Sequence, residues 1–506
     1  MLEAYLMSRK KWMRYFVFFL LGFIMALAQA PFDFSVVYFF VLPFLGFFIR
    51  DLKDKKTAFK IGWWTGFGYF GFTIIWIIEP FLVEPKITGW IAPFALLMMA
   101  GGLAIFWALS FYVATWLTTE GKIRIILLAL SWTFFEYLRS FIFTGFPWGH
   151  LSYGLLGIPM IQMVAWVGAH GLGAILLIVC FIPVICAPKI KIGYAIMLSI
   201  LFGLNIIGAW RSNNIILDNP ENIIVRVIQP NATQNLKWRT DMKHVFYQRQ
   251  LDFTGAKNTK SPNVVIWPET AISKLLKDSD VMIEEISNTA GSKASVILGI
   301  VRKENNKSRN SLVLINEQGD LSAIFDKQHL VPFGEYMPMA NLLKNIGLSN
   351  LIGLAGNFEP GNRSRIINAK NIPKFLALIC YEAIFPNYSN EIKNRPDWIV
   401  QITNDAWFGN FSGPYQHLAQ ARIRAIEQGL PFVRSANTGI SAMIDPYGRV
   451  LNKIELEASG YFDAALPSKI QPTPYSKFGE LFLALFCGLL LLACFANMYR
   501  KRNIEY

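Results

Sequence analysis

The hydrophobic positions of this chain fall into two patterns along its length. Up to residue 212, and again near the C terminus, they form long runs with few charges, each about as long as a helix that crosses a bilayer. Because backbone polar groups inside lipid must bond to one another, such runs predict membrane-spanning helices. We predict eight of them: Trp12–Ala28, Phe34–Ile49, Ile61–Ile78, Trp90–Leu117, Ile123–Tyr137, Pro159–Ala187, Ile192–Ala209 and Phe478–Met498. The second run is short and contains Pro43, which weakens its helical pattern.

Between Ile223 and Leu466 the pattern changes to short apolar runs separated by turn residues, such as "IIVRVIQP", "VVIWPET" and "FLALICYEAIFP". Helical segments alternate with some of these runs. Apolar runs without polar alternation are typical of strands that are covered on both faces, so we predict a layered α/β sandwich. The predicted organisation is a seven-helix region with an arm near 140–158 in residues 1–212, a polar domain in 213–477, and an eighth helix with a tail in 478–506.

Lysine and arginine residues are concentrated in alternate loops between the predicted helices. They cluster before the first helix, after the second and fourth, between the sixth and seventh, and after the eighth. The positive-inside rule therefore predicts that both termini are cytoplasmic and that the polar domain is extracytoplasmic. The first run also has features of a signal peptide, with a basic start and "ALAQA" near its end. Its removal would put the following loops on the wrong sides, so we interpret it as an anchor.

Composition agrees with a membrane protein: 53% of the 506 residues are hydrophobic, 16% are charged, and mean hydropathy is +0.36. The net charge of +14 comes mostly from the predicted cytoplasmic clusters and the tail, which indicates attraction to anionic lipid and argues against nucleic-acid binding. The five histidines are scattered without metal-ligand spacing, and there is no glycine-rich phosphate loop. We therefore predict no metal and no cofactor.

The polar domain contains a single cysteine, Cys380, at the end of an apolar run. The other four lie in or beside predicted helices six and eight, so Cys380 has no partner for a disulfide within its domain. It is either inert core or a reactive thiol.

Glu269 and Lys327 also follow apolar runs directly, and Glu335 lies in the loop after Lys327. Side chains at strand ends can converge on one ligand site; the alternative is a buried Glu269–Lys327 ion pair beside an unrelated cysteine.

Three ordered motifs resemble the nitrilase superfamily: "WPE" at 267–269, "DKQHLVPFGEYMP" at 326–338 and "CYE" at 380–382. The chain is most similar to its membrane-embedded branch, the apolipoprotein N-acyltransferase family. "TGFPWGHLSYG" at 144–154 resembles that family's periplasmic arm, "QPNATQNLKW" at 229–238 its strand-entry segment, and "TNDAWFG" at 403–409 the loop after its cysteine strand. The resemblance covers nearly the whole chain. It implies eight transmembrane helices plus a periplasmic nitrilase-like α-β-β-α catalytic domain in a bacterial inner membrane.

The resemblance also implies an activity. The family moves an acyl chain from a glycerophospholipid, through a cysteine thioester, to the α-amine of a diacylglyceryl-cysteine at the N terminus of an apolipoprotein. Here Cys380 would be the nucleophile, Glu269 the general acid and base, and Lys327 the oxyanion donor. Glu335, Tyr381 and Glu382 are expected to support them; Glu382 would bond to backbone N–H groups, whereas Glu335 alternatively caps a surface turn. We expect a monomer.

The substrates are expected to meet aromatic and cationic side chains. The candidates are Trp238, Trp148, Trp407, Phe146 and Arg139. For the aromatic residues the alternative is ordinary packing, and for Arg139 it is an ion pair with Glu136. The segment 336–358, which includes Leu348, Leu351 and Ile352, has the composition of a mobile lid. Arg424 and Glu427 are interpreted as a pair on a helix surface.

Two rival functions stay open at this stage. A membrane-tethered amidase or phospholipase would use the same three residues with water as the acceptor, because sequence does not reveal how dry the pocket is. A transporter or lipid-binding protein with a degenerate domain would need charge networks or paired broken helices in its spans. Few such features are present in the sequence.

Overall fold

The computed structural model describes residues 10–215, 222–345, 356–386 and 394–504. The chain divides into two compact units. The helical unit consists of Met1–Asn214, Phe411–Ala419 and Thr473–Tyr506, and the sandwich unit of Ile215–Asn410 and Gln420–Pro472.

The helical unit is built from helices that occupy each of the eight predicted apolar runs. Its helices are α1 (Lys11–Ala26), α2 (Val37–Arg50), α3 (Lys55–Thr73), α4 (Pro85–Thr88), α5 (Ala92–Leu117), α6 (Gly121–Arg139), α7 (Val164–Ile185), α8 (Ile190–Ser212), α13 (Pro474–Phe478) and α14 (Leu481–Ile504). Helix α3 begins six residues before the predicted start because Asp54 caps it by accepting from the Lys56 and Thr57 N–H groups.

By length and composition, three helical segments of the described residues are suited to crossing a membrane: Pro85–Leu117, Pro159–Ile185 and Ile190–Ser212. A fourth is obtained if α3 and the following 3-10 helix Ile75–Leu82, bent by 48°, form one span. Val37–Arg50 and Leu483–Ala493 are shorter apolar helices. The count of eight spans therefore stays a prediction.

The sandwich unit contains two sheets and the helices α9 (Lys243–Thr254), α10 (Asp280–Ala290) and α11 (Ala340–Asn345). One six-stranded sheet has the order β12-β1-β2-β3-β4-β5 and the other β11-β10-β9-β8-β7-β6. The strands are β1 (Ile224–Gln229), β2 (Val264–Ile266), β3 (Ser295–Glu304), β4 (Lys307–Ile315), β5 (Leu321–Asp326), β6 (Ile366–Ile367), β7 (Phe375–Ile379), β8 (Trp398–Thr403), β9 (Phe432–Ala436), β10 (Ser441–Ile444), β11 (Val450–Ile454) and β12 (Gly460–Ala465). Both sheets are mixed: β1, β2 and β3 are parallel, as are β7, β8 and β9, while their outer neighbours pair antiparallel.

The main core lies between the two sheets. It includes Val227 and Ile266 from the first sheet and Ala377, Val400 and Val433 from the second, all buried. A second cluster packs α9 and α10 on the outer face of the first sheet, where Trp267 is enclosed. Strands covered on both faces explain the apolar runs without alternation. The prediction of a layered α/β sandwich is confirmed for this unit.

Helix α12 (Gly413–Gln428) corrects one reading of the sequence. Arg424 and Glu427 pair as their spacing suggested, with Arg424 Nε 2.9 Å from Glu427 Oε2. Both side chains are fully enclosed, however, so the prediction of a surface pair is wrong. The spacing brings the two charges to one helix face but does not say what covers that face.

Helices α1 and α3 approach so closely that glycine is required at their contact. A Cβ atom on Gly68 would lie 2.0 Å from the Phe19 carbonyl oxygen, and one on Gly22 would lie 1.9 Å from the Thr65 carbonyl oxygen. Small residues that permit backbone contact are a common basis of helix association in membranes.

We predict that Gly68→Ala lowers the unfolding temperature of the purified protein, because its Cβ displaces backbone at a cost of about 1–3 kcal/mol. Gly71→Ala is the matched control: it lies on the same helix, and its Cβ meets no atom within 4 Å. The control should be neutral or stabilising, since alanine favours a helix by ~1 kcal/mol over glycine. Thermal unfolding of both variants in detergent measures this, and equal unfolding temperatures would contradict the close contact.

Candidate active site

Three strand ends bring the predicted catalytic side chains to one place. Glu269 follows β2 and Lys327 follows β5, two strands of the same sheet, whereas Cys380 follows β7 of the facing sheet. Antiparallel pairing of β3 with β4 and of β4 with β5 gives β5 the same direction as β2, so both strands end at the same edge. The Lys327 N–H donates to the Asn310 carbonyl at 2.8 Å, which fixes this strand end.

Lys327 lies between two carboxylates. Its Nζ is 2.9 Å from the Glu335 carboxylate and 3.8 Å from Glu269 Oε1, and its side chain is only 1% exposed. Asn310 joins the two acids, because its Nδ2 donates to Glu269 Oε1 at 2.7 Å and to Glu335 Oε1 at 3.1 Å. Glu335 also accepts from the Val331 N–H at 2.8 Å. Glu335 therefore does more than cap a surface turn. It closes its own loop and also pairs with Lys327.

Cys380 sits at a strained turn. Its φ is +51°, in the left-handed region that non-glycine residues seldom adopt. Gln401 Nε2 donates to its carbonyl oxygen at 2.9 Å. Strain of this kind persists only where the surroundings fix the backbone, and it is frequent at reactive residues.

Glu382 holds this turn beside the loop that follows Lys327. Its Oε2 accepts from the Ile379 N–H at 2.8 Å, and its Oε1 accepts from the N–H groups of Gln328 at 2.8 Å and His329 at 3.1 Å. Arg365 Nη1 lies 3.0 Å from the same Oε1. The carboxylate is fully buried, so these contacts replace the water it has lost.

The thiol and the acid have raised pKa values. Burial, assisted by the negative charge of Glu269, raises the pKa of Cys380 to about 12, although Lys327 and a hydrogen bond with Thr403 act in the opposite direction. Burial and Glu335 raise the pKa of Glu269, against the effect of Lys327. Burial alone would lower the pKa of Lys327, but Glu335, Cys380 and Glu269 outweigh it and the net direction is upward. Lys327 is thus a fixed cation and Glu269 is shifted toward the range of a general acid and base.

The other predicted site residues are distributed over both units. In the sandwich unit, Tyr381 is buried with its ring 5.2 Å from that of Phe385, whereas Trp238 and Trp407 are 49% and 38% exposed. The exposed pair has the free surface that a substrate contact requires.

Three candidates lie in the helical unit, where they contact other residues of the protein. Trp148 is enclosed, and its Nε1 donates to Gln416 Oε1 at 2.6 Å. Phe146 stacks on Trp148 with ring centroids 6.2 Å apart. Arg139 pairs with Glu136 at 2.8 Å and donates to the Trp148 carbonyl at 2.8 Å. The polar atoms of these side chains bond to other groups of the protein, as the packing and ion-pair alternatives predict.

Part of the predicted lid lies outside the described residues. The segment begins with residues 336–345, which include helix α11, and ends near Phe358. Leu348, Leu351 and Ile352 lie outside the described residues. Among the residues that are described, no group of three or more His, Cys, Asp or Glu side chains is arranged to hold a metal ion.

Sequence reasoning missed Asn310 and Lys237. Asn310 directly precedes the run "SLVLI" on β4, and one polar residue before an apolar run is a weak signal. Lys237 precedes Trp238 in the motif "NLKW", and only its aromatic neighbour was selected. Lys237 Nζ donates to the Glu269 carbonyl oxygen at 3.2 Å.

Two family models match this chain. Residues 21–182 match the family model of the apolipoprotein N-acyltransferase N-terminal domain, and residues 225–475 match that of the carbon-nitrogen hydrolases. The chain is 35% identical to proteins named apolipoprotein N-acyltransferase from Brucella melitensis, over 91% of each chain, and from Rhodopseudomonas palustris, over 97% of this chain and 96% of the relative. Among solved structures it is similar to Nit3 of Saccharomyces cerevisiae, a nitrilase-superfamily member, with 19% identity and a TM-score of 0.36 over 51% of this chain and 94% of the other.

The geometry predicts how Lys327 affects the thiol. Lys327→Met removes the cation that lowers the pKa of Cys380, so the pKa rises and the thiolate fraction falls about tenfold for each unit of the rise. We expect slower alkylation of Cys380 by iodoacetamide at neutral pH, followed by peptide mass spectrometry, and a rate that recovers only at higher pH. Lys303→Met, an exposed lysine on β3, should alkylate like the wild type. Alkylation of the Lys327 variant at an unchanged rate would show that the Lys327 cation does not lower the pKa of Cys380.

Proposed function

Since the chain belongs to the apolipoprotein N-acyltransferase family, we propose that it transfers an acyl chain from a glycerophospholipid to the α-amino group of the diacylglyceryl-cysteine at the N terminus of apolipoproteins. One observation carries the catalytic part of this proposal: an ammonium held between two carboxylates, at strand ends that also present a strained cysteine. Glu269, Lys327 and Cys380 are the proposed catalytic residues.

In the first half-reaction the Cys380 sulfur attacks the ester carbonyl of the phospholipid. Glu269 accepts the thiol proton as the carbon–sulfur bond forms, and Lys327 stabilises the negative charge on the carbonyl oxygen. Collapse of this intermediate breaks the carbon–oxygen bond, and Glu269 returns the proton to the leaving lysophospholipid alkoxide. The upward shift of the Glu269 pKa supports this double role, because it makes the carboxylate a better proton acceptor while the acid form can still return the proton.

In the second half-reaction the α-amine of the apolipoprotein attacks the thioester. A carbon–nitrogen bond forms, the carbon–sulfur bond breaks, and Glu269 passes a proton from the amine to the departing sulfur. Lys327 again stabilises the oxyanion, a contribution of about 3–4 kcal/mol for one such donor. The products are the N-acylated apolipoprotein and free Cys380.

The protein is membrane-embedded by family and by its apolar helices. We further propose eight spans in a bacterial inner membrane, with both termini cytoplasmic and the sandwich unit periplasmic, and a monomeric state. Exposed Trp238 and Trp407 suit contact with lipid substrates, as tryptophan does at membrane surfaces. Arg139, Phe146 and Trp148 would act indirectly, by fixing the arm near 140–158.

We predict that Cys380→Ala and Cys380→Ser abolish acyl transfer, because neither side chain supplies the sulfur that forms the thioester. The measurement is mass spectrometry of purified protein incubated with phospholipid: the wild type gains one acyl group on Cys380, and both variants gain none. Cys186→Ala, in the helical unit, is the matched control and should form the adduct. Unchanged thermal unfolding of both variants would show that the loss of transfer does not come from misfolding. Substantial transfer by either Cys380 variant would refute the thioester.

A further prediction separates acyl transfer from hydrolysis. The enzyme charged by phospholipid should persist until an acceptor arrives, since the site is buried. A peptide with a diacylglyceryl N-terminal cysteine should discharge it and yield an amide, whereas the same peptide with an acetylated α-amine should not. If fatty acid is released equally fast with and without the acceptor, the water-using amidase or phospholipase is the better account.

A further inference from the structure

Lys237 is a second buried ammonium close to Glu269. In the sequence it lies between β1 and α9, and its side chain is buried, with only 6% of the residue exposed. Its Nζ donates to the Glu269 backbone carbonyl at 3.2 Å and to Thr270 Oγ1 at 2.8 Å. These contacts differ from those of Lys327, which faces the carboxylate of Glu269.

The backbone that Lys237 holds is constrained from the opposite side by β3. A Cβ atom on Gly299 would lie 2.6 Å from both the Glu269 Cα and the Thr270 nitrogen. The Gly299 N–H donates to the Pro268 carbonyl at 3.1 Å, and the Ala271 N–H donates to the Gly299 carbonyl at 2.8 Å. Strand β3 thus fixes one side of the segment and Lys237 the other.

The same segment is strained. Thr270 has a φ of +45°, which a β-branched residue adopts only when its surroundings impose it. Without Lys237, the Thr270 hydroxyl and the Glu269 carbonyl would each lose a buried donor, which removes what opposes relaxation. A small rotation here would carry the Glu269 carboxylate away from its place.

Charge acts in the same direction as geometry. The positive charge of Lys237 lowers the pKa of Glu269, while burial lowers the pKa of Lys237 itself to about 8 despite the attraction of Glu269. Among the described residues, Lys327, Glu335 and Cys380 interact with Glu269, and Lys243 and Tyr247 of α9 line the same cavity as Lys237. A cation thus supports both the position and the ionised form of the acid.

Lys237 also lines a cavity that is open to the surface. The walls of this cavity include Trp238, Phe246, Gln250 and Thr270. Lys237 Nζ lies 5.3 Å from the ring centroid of Trp238, which is 49% exposed. One lysine therefore connects an exposed aromatic wall to the backbone of the acid.

We propose that Lys237 is a positioning residue that holds the Glu269 carboxylate in place for proton transfer to and from Cys380. The inference rests on the proposed function. Lys237 touches neither reacting atom in this assignment; it acts through the Glu269–Thr270 backbone and through its charge.

The test is the rate of acyl-adduct formation on Cys380, measured by mass spectrometry with phospholipid vesicles across a pH series. Lys237→Met should slow adduct formation at saturating phospholipid by about tenfold to a hundredfold, the cost of misplacing a catalytic group. It should also move the acidic limb of the pH profile upward, because the pKa of Glu269 rises when the nearby cation is lost.

Lys237→Arg retains the charge and should return the acidic limb to its wild-type position, even if its rate recovers only in part. Lys274→Met, an exposed lysine in the segment after Thr270, is the matched control and should behave like the wild type.

An unchanged rate and profile for Lys237→Met would overturn the proposal. So would equal losses in the Met and Arg variants with no shift of the limb and a lowered unfolding temperature, which would assign Lys237 to folding alone. If the wild-type enzyme itself forms no adduct on Cys380, the proposed function fails instead, and this outcome is visible before any variant is compared.

Discussion

The arrangement of this active site depends on one buried cation. An ammonium that is 1% exposed must be compensated, because the water that would solvate it is gone. Lys327 has two carboxylates, one more than its charge requires, and Asn310 bridges them. Lys237 supplies a second positive charge beside the Glu269 backbone. Burial raises the pKa of Glu269, and the charge of Glu335 raises it further against the opposing effects of Lys327 and Lys237.

The two sheets supply this cluster from opposite sides. Glu269 and Lys327 come from one sheet and Cys380 from the other, so the core between the sheets sets their separation. Beneath the thiol, Arg434 Nη1 donates to Gln401 Oε1 at 2.7 Å and also pairs with Asp405, while Gln401 Nε2 donates to the Cys380 carbonyl. The strained turn is thus held by polar groups that are themselves fully bonded. Small backbone shifts in either sheet would be transmitted to the reacting atoms.

Sequence was sufficient where a charge ends an apolar run. Such an ending marks a strand end, which made convergence of Glu269, Lys327 and Cys380 one of two interpretations. The resemblance of the three motifs to a known family favoured it over an ion pair beside an unrelated cysteine. It was insufficient for Asn310 and Lys237, since a polar residue inside or beside an apolar segment has no pattern that reveals its partner. Burial could not be predicted either, because the sequence of the arm does not distinguish aromatic and cationic side chains that face lipid from those that pack inside the protein. For the same reason the i,i+3 spacing on α12 gave the ion pair but not its environment.

The high pKa of Cys380, the proposed nucleophile, follows from burial, which would also protect the proposed thioester. At neutral pH the Cys380 thiol keeps its proton, so a free thiolate does not await the substrate. Burial raises the pKa of Glu269 as well, which makes its carboxylate a stronger proton acceptor than an exposed one. Proton transfer can then accompany attack on the ester, when the charge appears beside Lys327 and no longer on an isolated sulfur. The enclosure that makes the resting thiol unreactive is therefore the enclosure that keeps water from a thioester, and the ammonium between two acids makes both compatible with turnover.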